Sequence, residues 1–116
     1  MIDVVYNQKD CEVTIKGHAM SGECGHDTVC AAAAILAYTL AANVESAADM
    51  CDSENINLSE GEAVIKCTPK PEYSIAVKLM FQNICVGYEL LSINFPENIS
   101  YKIVGTGIEN ENVTNV

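Results

Sequence analysis

Residues 1–8 alternate in part and are rich in β-branched side chains, and after Gln8-Lys9-Asp10 the stretch Cys11-Glu12-Val13-Thr14-Ile15-Lys16 alternates apolar with polar. A period of two marks a half-buried strand, so this region predicts a β-hairpin with its turn at residues 8–10. Gly17-His18-Ala19 ends the second strand. Met20 to His26 has no period, and Gly22 and Gly25 punctuate it, which predicts a mobile loop. Beyond Asp27 the period changes: Val29, Ala33, Leu36, Ala37, Leu40, Val44 and Ala47 recur at three and four residues, the stripe of an amphipathic helix with Asp27 as its natural N-cap.

The polar stretch Asp49 to Glu54 closes that helix. Ile56 to Leu58 predicts a short strand, Ser59-Glu60-Gly61-Glu62 a turn, and Ala63 to Thr68 a partner strand, giving a second hairpin. Pro69 and Pro71 stop it and introduce a second helix, whose stripe is Tyr73, Val77, Met80, Phe81, Ile84, Tyr88 and Leu91, with Pro96 as its far limit. Ile99 to Val104 predicts a last strand. The order ββαββαβ implies an α/β chain of the α+β kind, with about five strands in an antiparallel or mixed sheet packed against two helices. One domain over residues 1–108 is expected, followed by a disordered Asn- and Glu-rich tail over 109–116.

Composition narrows the function classes. Nearly half of the 116 residues are hydrophobic, enough for a core without metals or disulfides. Six basic against sixteen acidic residues leave a formal charge of −10, which argues against a nucleic-acid partner and favours a basic one. The N-terminus lacks the basic start and apolar core of a signal peptide, and no apolar run is expected to approach the roughly 20 residues of a membrane span, so the expected compartment is the cytoplasm.

Six cysteines stand at 11, 24, 30, 51, 67 and 85 with no C-x-x-C pair, so neither a structural zinc site nor a disulfide scaffold is expected, and most should be small buried hydrophobes. Cys30 differs from the rest. Three residues after the expected cap, it falls in the first turn of a helix, where unpaired N–H groups and the helix dipole favour a thiolate. A thiolate that attacks an amide needs an acid for the leaving amine, and His18, at a strand end, carries the side chain best suited to that transfer near neutral pH. The ordinary roles of these residues, a core cysteine and a surface histidine, remain open on composition and spacing alone. Cys24, His26 and Cys30 would offer three metal ligands without a fourth, so no metal and no cofactor are expected.

The blocks Gly17-His18-Ala19 and Gly25-His26-Asp27-Thr28-Val29-Cys30-Ala31, separated by a short glycine-containing loop, resemble the bacterial ribosomal-processing cysteine proteases, often called Prp. The family signature is G-H-A, a loop, then G-x-D-x-V-C-A. The resemblance implies a homodimeric cysteine endopeptidase that removes a short N-terminal extension, cut after an aromatic residue, from bacterial large-subunit ribosomal protein number twenty-seven. It makes Cys30 the nucleophile and His18 the general base and acid, with Asp27 orienting His18, capping the helix, or both. Met20, Ser21, Gly22 and Gly25 would lie in a substrate-binding loop able to close over an extended peptide.

The chain departs from the pattern four residues after the nucleophile: family members commonly carry Ser there and this chain has Ala34, which cannot donate a hydrogen bond toward the site. Two other function classes fit the same sequence. One is a non-enzymatic ribosome-assembly interaction module in which Cys30 is inert. The other is a thiol redox sensor working through a Cys24–Cys30 disulfide.

Overall fold

The computed structural model describes residues 1–17 and 26–107, with only the backbone described at 26 and 27. The first hairpin is present as β1 (Ile2–Asn7) and β2 (Glu12–Lys16), paired antiparallel with Val4 opposite Ile15 and Tyr6 opposite Val13. Asn7 closes the turn through its side chain: its Nδ2 donates to Asp10 at 3.0 Å, and its Oδ1 accepts from the Asp10 N–H at 3.2 Å. Such side-chain bonds to nearby backbone are why Asn and Asp recur in turns.

Helix α1 spans His26–Ser46, followed by a short 3₁₀ turn, Ala48–Met50. The second hairpin is β3 (Cys51–Ser59) with β4 (Glu62–Pro69), and helix α2 (Ser74–Asn94) leads to β5 (Ile99–Val104). The expected order ββαββαβ is therefore observed, in a mixed five-stranded sheet of order β3-β4-β2-β1-β5. β5 lies parallel to β1 and every other pairing is antiparallel.

Two boundaries differ from the periodicity. β3 begins at Cys51, well before Ile56, because backbone pairing with β4 carries an almost wholly exposed polar stretch into the sheet. That stretch is an edge, and Asp52 and Glu54 give it the charge that keeps edge strands from pairing with other chains. Tyr73 belongs to a short 3₁₀ turn, Pro71–Tyr73, and is exposed, so the stripe of α2 starts at Val77. The expected tail, 109–116, lies outside the described residues.

Strand alternation puts Ile2, Val4, Tyr6, Val13, Ile65 and Ile99 on one buried face, and both helices cover it. From α1 come Val29, Ala33, Ala37, Leu40 and Val44; from α2 come Val77, Phe81, Cys85 and Tyr88. The result is a two-layer slab about 18 Å thick in its shortest dimension. The helices approach closely at Gly87, where an added methyl would run into the Leu36 side chain at 2.7 Å.

One sequence expectation needs correction: Thr28–Ser46 is 19 residues long with mean hydropathy 1.4, so by length and composition α1 is long and apolar enough to cross a membrane. In this fold its most apolar stripe lies on the sheet and α2, which accounts for a long apolar helix without a bilayer.

Candidate active site

Cys30 is carried by the N-terminal part of α1. The helix begins at His26, one residue ahead of the expected cap, so Asp27 is its second residue and Cys30 its fifth. Cys30 thus sits at the opening of the second turn, two positions deeper than expected. The influence of the helix dipole fades within the first turn, so it is weaker at Cys30 than at the opening residues of α1.

Cys30 is 6% exposed, and the little that shows faces a cleft of about 340 Å³. The wall beside it is the small face of α1. Ala33, Ala34 and Ala37 follow Cys30 at three, four and seven residues, and side chains that stop at Cβ leave the space above them open. Ile2 of β1 and Ile15 of β2 supply apolar surface, and the tip of the second hairpin, Leu58 to Ala63, stands opposite. Tyr38, 56% exposed, is at the rim.

The carbonyl of Ala33, one residue short of a full turn beyond Cys30, accepts the Tyr88 hydroxyl at 3.0 Å in the core. This bond ties the cleft-lining turn of α1 to α2, and Tyr88 in turn stacks on Tyr101 of β5 with ring centroids 6.5 Å apart. The helix that carries Cys30 is therefore held from behind as well as by its own backbone.

Gly17 is the last described residue before His18. Its φ is +120°, and a methyl added there would strike the carbonyl oxygen of Met1, so neither the conformation nor the space admits another residue. Its N–H donates to the carbonyl of Gly61 at 3.0 Å, joining the end of β2 to the tip of the second hairpin. Glycine at 17 is thus required by the turn that directs the chain toward His18.

His18, Met20, Ser21, Gly22 and Gly25 lie outside the described residues, as do Cys24 and the side chains of His26 and Asp27. The structure brings Cys30 to a cleft; the other expected site residues carry no geometry. Ala34 lines the cleft directly, so the position where related chains carry Ser presents a methyl group to the site.

Sequence reasoning did not identify the far wall. Leu58 was legible only as the end of a short strand and Ser59, Glu60, Gly61 and Glu62 only as a turn, and their place opposite Cys30 follows from β4 pairing with β2. The signal that was available is the run Cys30, Ala33, Ala34, Ala37: small residues on one helix face leave room for something else to lie on it.

The other described cysteines are all buried reduced thiols. Burial pushes the Cys67 thiol up to about 12, helped by its contact with the Cys51 thiol, and pushes Cys85 up to about 11. Cys11 is also raised, again chiefly by burial. Burial thus disfavours the thiolate, the nucleophilic form, in these three. Among the described residues no group of histidine, cysteine and carboxylate side chains is placed to hold a metal ion.

Comparison with known proteins agrees with the motif. Among solved structures, SMU.848 from Streptococcus mutans is 29% identical, with a TM-score of 0.66 over 89% of this chain and 91% of that one. The essential ribosomal processing protease Prp from S. aureus, in complex with a substrate peptide, superposes with a TM-score of 0.70 at 23% identity, over 89% of this chain and 99% of that one. The same protease with a covalently linked product peptide gives a TM-score of 0.68 at 24% identity over the same shares, and at these identities the likeness is one of fold. No curated protein matches the chain. Residues 1–100 match the family model of the cysteine protease Prp, and with so much of its length covered the chain belongs to that family and is a cysteine protease.

Proposed function

We propose that this chain is the endopeptidase that removes a short N-terminal extension from bacterial large-subunit ribosomal protein number twenty-seven, with Cys30 as nucleophile and His18 as general base and acid. The observation that carries the reading is the cleft itself: Cys30 lines it, and so does Gly17, the residue before His18 in the Gly17-His18-Ala19 block. Ribosomal processing is what the S. aureus relative is described as doing.

In this mechanism the Cys30 sulfur attacks the peptide carbonyl and forms an acyl-enzyme while His18 protonates the departing amine. His18 then takes a proton from the water that releases the acid. N–H groups of the 18–25 segment and the first turn of α1 hold the developing oxyanion. Asp27 orients His18. Met20, Ser21, Gly22 and Gly25 contact the extended substrate, and the apolar floor takes the aromatic residue before the cleaved bond. No metal takes part.

The protein works in the cytoplasm as a homodimer and binds no nucleic acid in this reading; the charge of −10 instead draws a basic ribosomal-protein tail. Support for the dimer is an exposed apolar row along α2, Ile75, Leu79, Val86, Leu90 and Ile93, on the side turned from the core.

The test is incubation with a peptide spanning the extension, followed by mass spectrometry. A single cut is expected with the wild-type chain and none with Cys30→Ala or His18→Ala. Cleavage that persists unchanged in either variant sinks the assignment.

A further inference from the structure

We infer that Glu60 is a specificity residue that selects peptides carrying a lysine or arginine a few residues from the cleaved bond. This rests on the cysteine-protease activity and on Cys30 as its nucleophile, but not on the identity of the ribosomal substrate.

The cleft beside Cys30 has a floor without polar side-chain groups: Ile2, Ile15, Ala33, Ala34 and Ala37. Its polar side chains among the described residues come from the rim, namely the Tyr38 phenol and the hairpin tip Ser59-Glu60-Gly61-Glu62. Two of the tip's three polar groups are already engaged. The Ser59 hydroxyl donates to Asn57 Oδ1 at 2.7 Å, and Glu62 faces Lys16 across the β2–β4 pair at 3.6 Å.

Glu60 remains. It is exposed, lines the cleft, and has no ion pair among the described residues; none of the chain's six lysines lines that cleft. A carboxylate beside an apolar trough, with no ion pair among the described residues, gives a peptide lying in the trough a charge-assisted partner for a basic side chain, and repels an acidic one.

Glu60 is also held in place. It occupies a two-residue turn between β3 and β4, and the next carbonyl, that of Gly61, accepts the Gly17 N–H at 3.0 Å. The tip is thereby fastened to the end of β2, so the backbone that carries Glu60 keeps a set position beside the cleft. Position, and not only sign of charge, is what turns an acidic surface into selectivity: diffuse attraction speeds encounter with any basic peptide, while a fixed charge favours one register of it.

The test separates these two effects. A degenerate peptide library is digested with wild type, Glu60→Lys and Glu54→Lys, and residue frequencies around the cut are read by mass spectrometry, with Cys30→Ala as the blank. Glu54→Lys makes the same change in net charge on the exposed β3 edge, outside the cleft.

The wild-type chain and Glu54→Lys should enrich Lys and Arg at one position near the cut. Glu60→Lys should abolish that enrichment and favour Asp or Glu at the same position. On single peptides differing only there, the expected change in relative kcat/KM is about 3- to 10-fold, carried mainly by KM.

No basic enrichment in the wild type, or enrichment that Glu60→Lys leaves intact or that Glu54→Lys alters equally, overturns the inference. A library that is cut with the expected selectivity while the ribosomal extension peptide is not would instead overturn the substrate assigned above and leave Glu60 standing.

Discussion

The two ends of the sheet use the same strands and the same kind of side chain, and they part company in what the helices lay over them. At one end, Ile2, Ile15 and Ala63 meet the alanine face of α1, and the helix stops short of filling the space, leaving the cleft with Cys30 in its wall. At the other, Tyr6, Cys11 and Cys67 are closed over and almost wholly buried, with Phe81 stacked on Tyr6 at a centroid distance of 6.0 Å. A thiol at the closed end is a small hydrophobe with its proton locked on; a thiol at the open end can meet a substrate. What distinguishes the cleft cysteine here is side-chain volume on the surrounding helix face more than anything in the cysteine itself.

The largest effect that can test this contrast is removal of a thiol from each end. Cys30→Ala should lower peptide cleavage by at least ~10³-fold with little change in unfolding midpoint, because the thiolate is the attacking group and its site borders open space. Cys67→Ala should do the reverse, leaving kcat within about twofold while lowering stability by about 1 kcal/mol through the cavity it leaves. Parallel measurement of turnover and urea unfolding decides the matter; equal loss of activity in both variants would dissolve the distinction between the two ends.

Gly17→Ala is the next largest. The substituted methyl meets the Met1 carbonyl oxygen and the residue must hold a φ of +120°, so the chain must shift at the end of β2, beside the cleft. A loss of at least ~10-fold in kcat is expected, with a destabilisation of about 1–3 kcal/mol. Activity that survives at the wild-type level would show that the direction set at Gly17 does not matter to the site.

Alkali probes the buried thiols. Cys67 and Cys85 keep their protons in the fold up to about 12 and about 11, whereas an unfolded thiol releases its proton near pH 9. The folded state therefore binds more protons than the unfolded one between those values. Their contribution to stability is whole below pH 9 and is lost as pH rises through the folded-state values. Urea midpoints should fall steadily from about pH 9 to pH 11, and changing Cys85 to Ala should flatten that fall.

How much of this was legible in the sequence follows the same physics. The element order was, because both helices and the buried strands keep their periods, and Val29, Ala33, Leu40, Val44, Val77, Phe81 and Tyr88 all reached the core. The length of β3 was not, since Asp52 to Asn55 is exposed and is held by backbone pairing alone, which leaves no trace in side-chain pattern.

For the site, the pair of short motifs singled out Cys30, and nothing local marked Tyr38 or Leu58 to Ala63 as its surroundings. Tyr38 reaches it along α1 itself, eight residues after Cys30, whereas the hairpin tip reaches it through the antiparallel pairing of β4 with β2, a contact between segments some fifty residues apart in sequence. Tertiary pairing of that kind has no single-residue signature.

The smallest expected effects come from two tyrosine hydroxyls, one at each end of the comparison. Tyr88 Oη donates to the Ala33 carbonyl behind the cleft, while Tyr6 Oη is buried at the closed end without a hydrogen-bond partner among the described residues. Deleting a made bond costs its net worth, about 1 kcal/mol, whereas deleting an unmade one relieves a desolvated polar atom. Tyr88→Phe should therefore destabilise by about 1 kcal/mol and, because Ala33 lies on the cleft-lining turn of α1, raise KM modestly. Tyr6→Phe should leave turnover unchanged and hold or increase the unfolding free energy. Urea titrations of the two variants at neutral pH measure both. Loss of stability in Tyr6→Phe as large as in Tyr88→Phe would mean that the closed end holds a polar partner for that hydroxyl and is less dry than its packing implies.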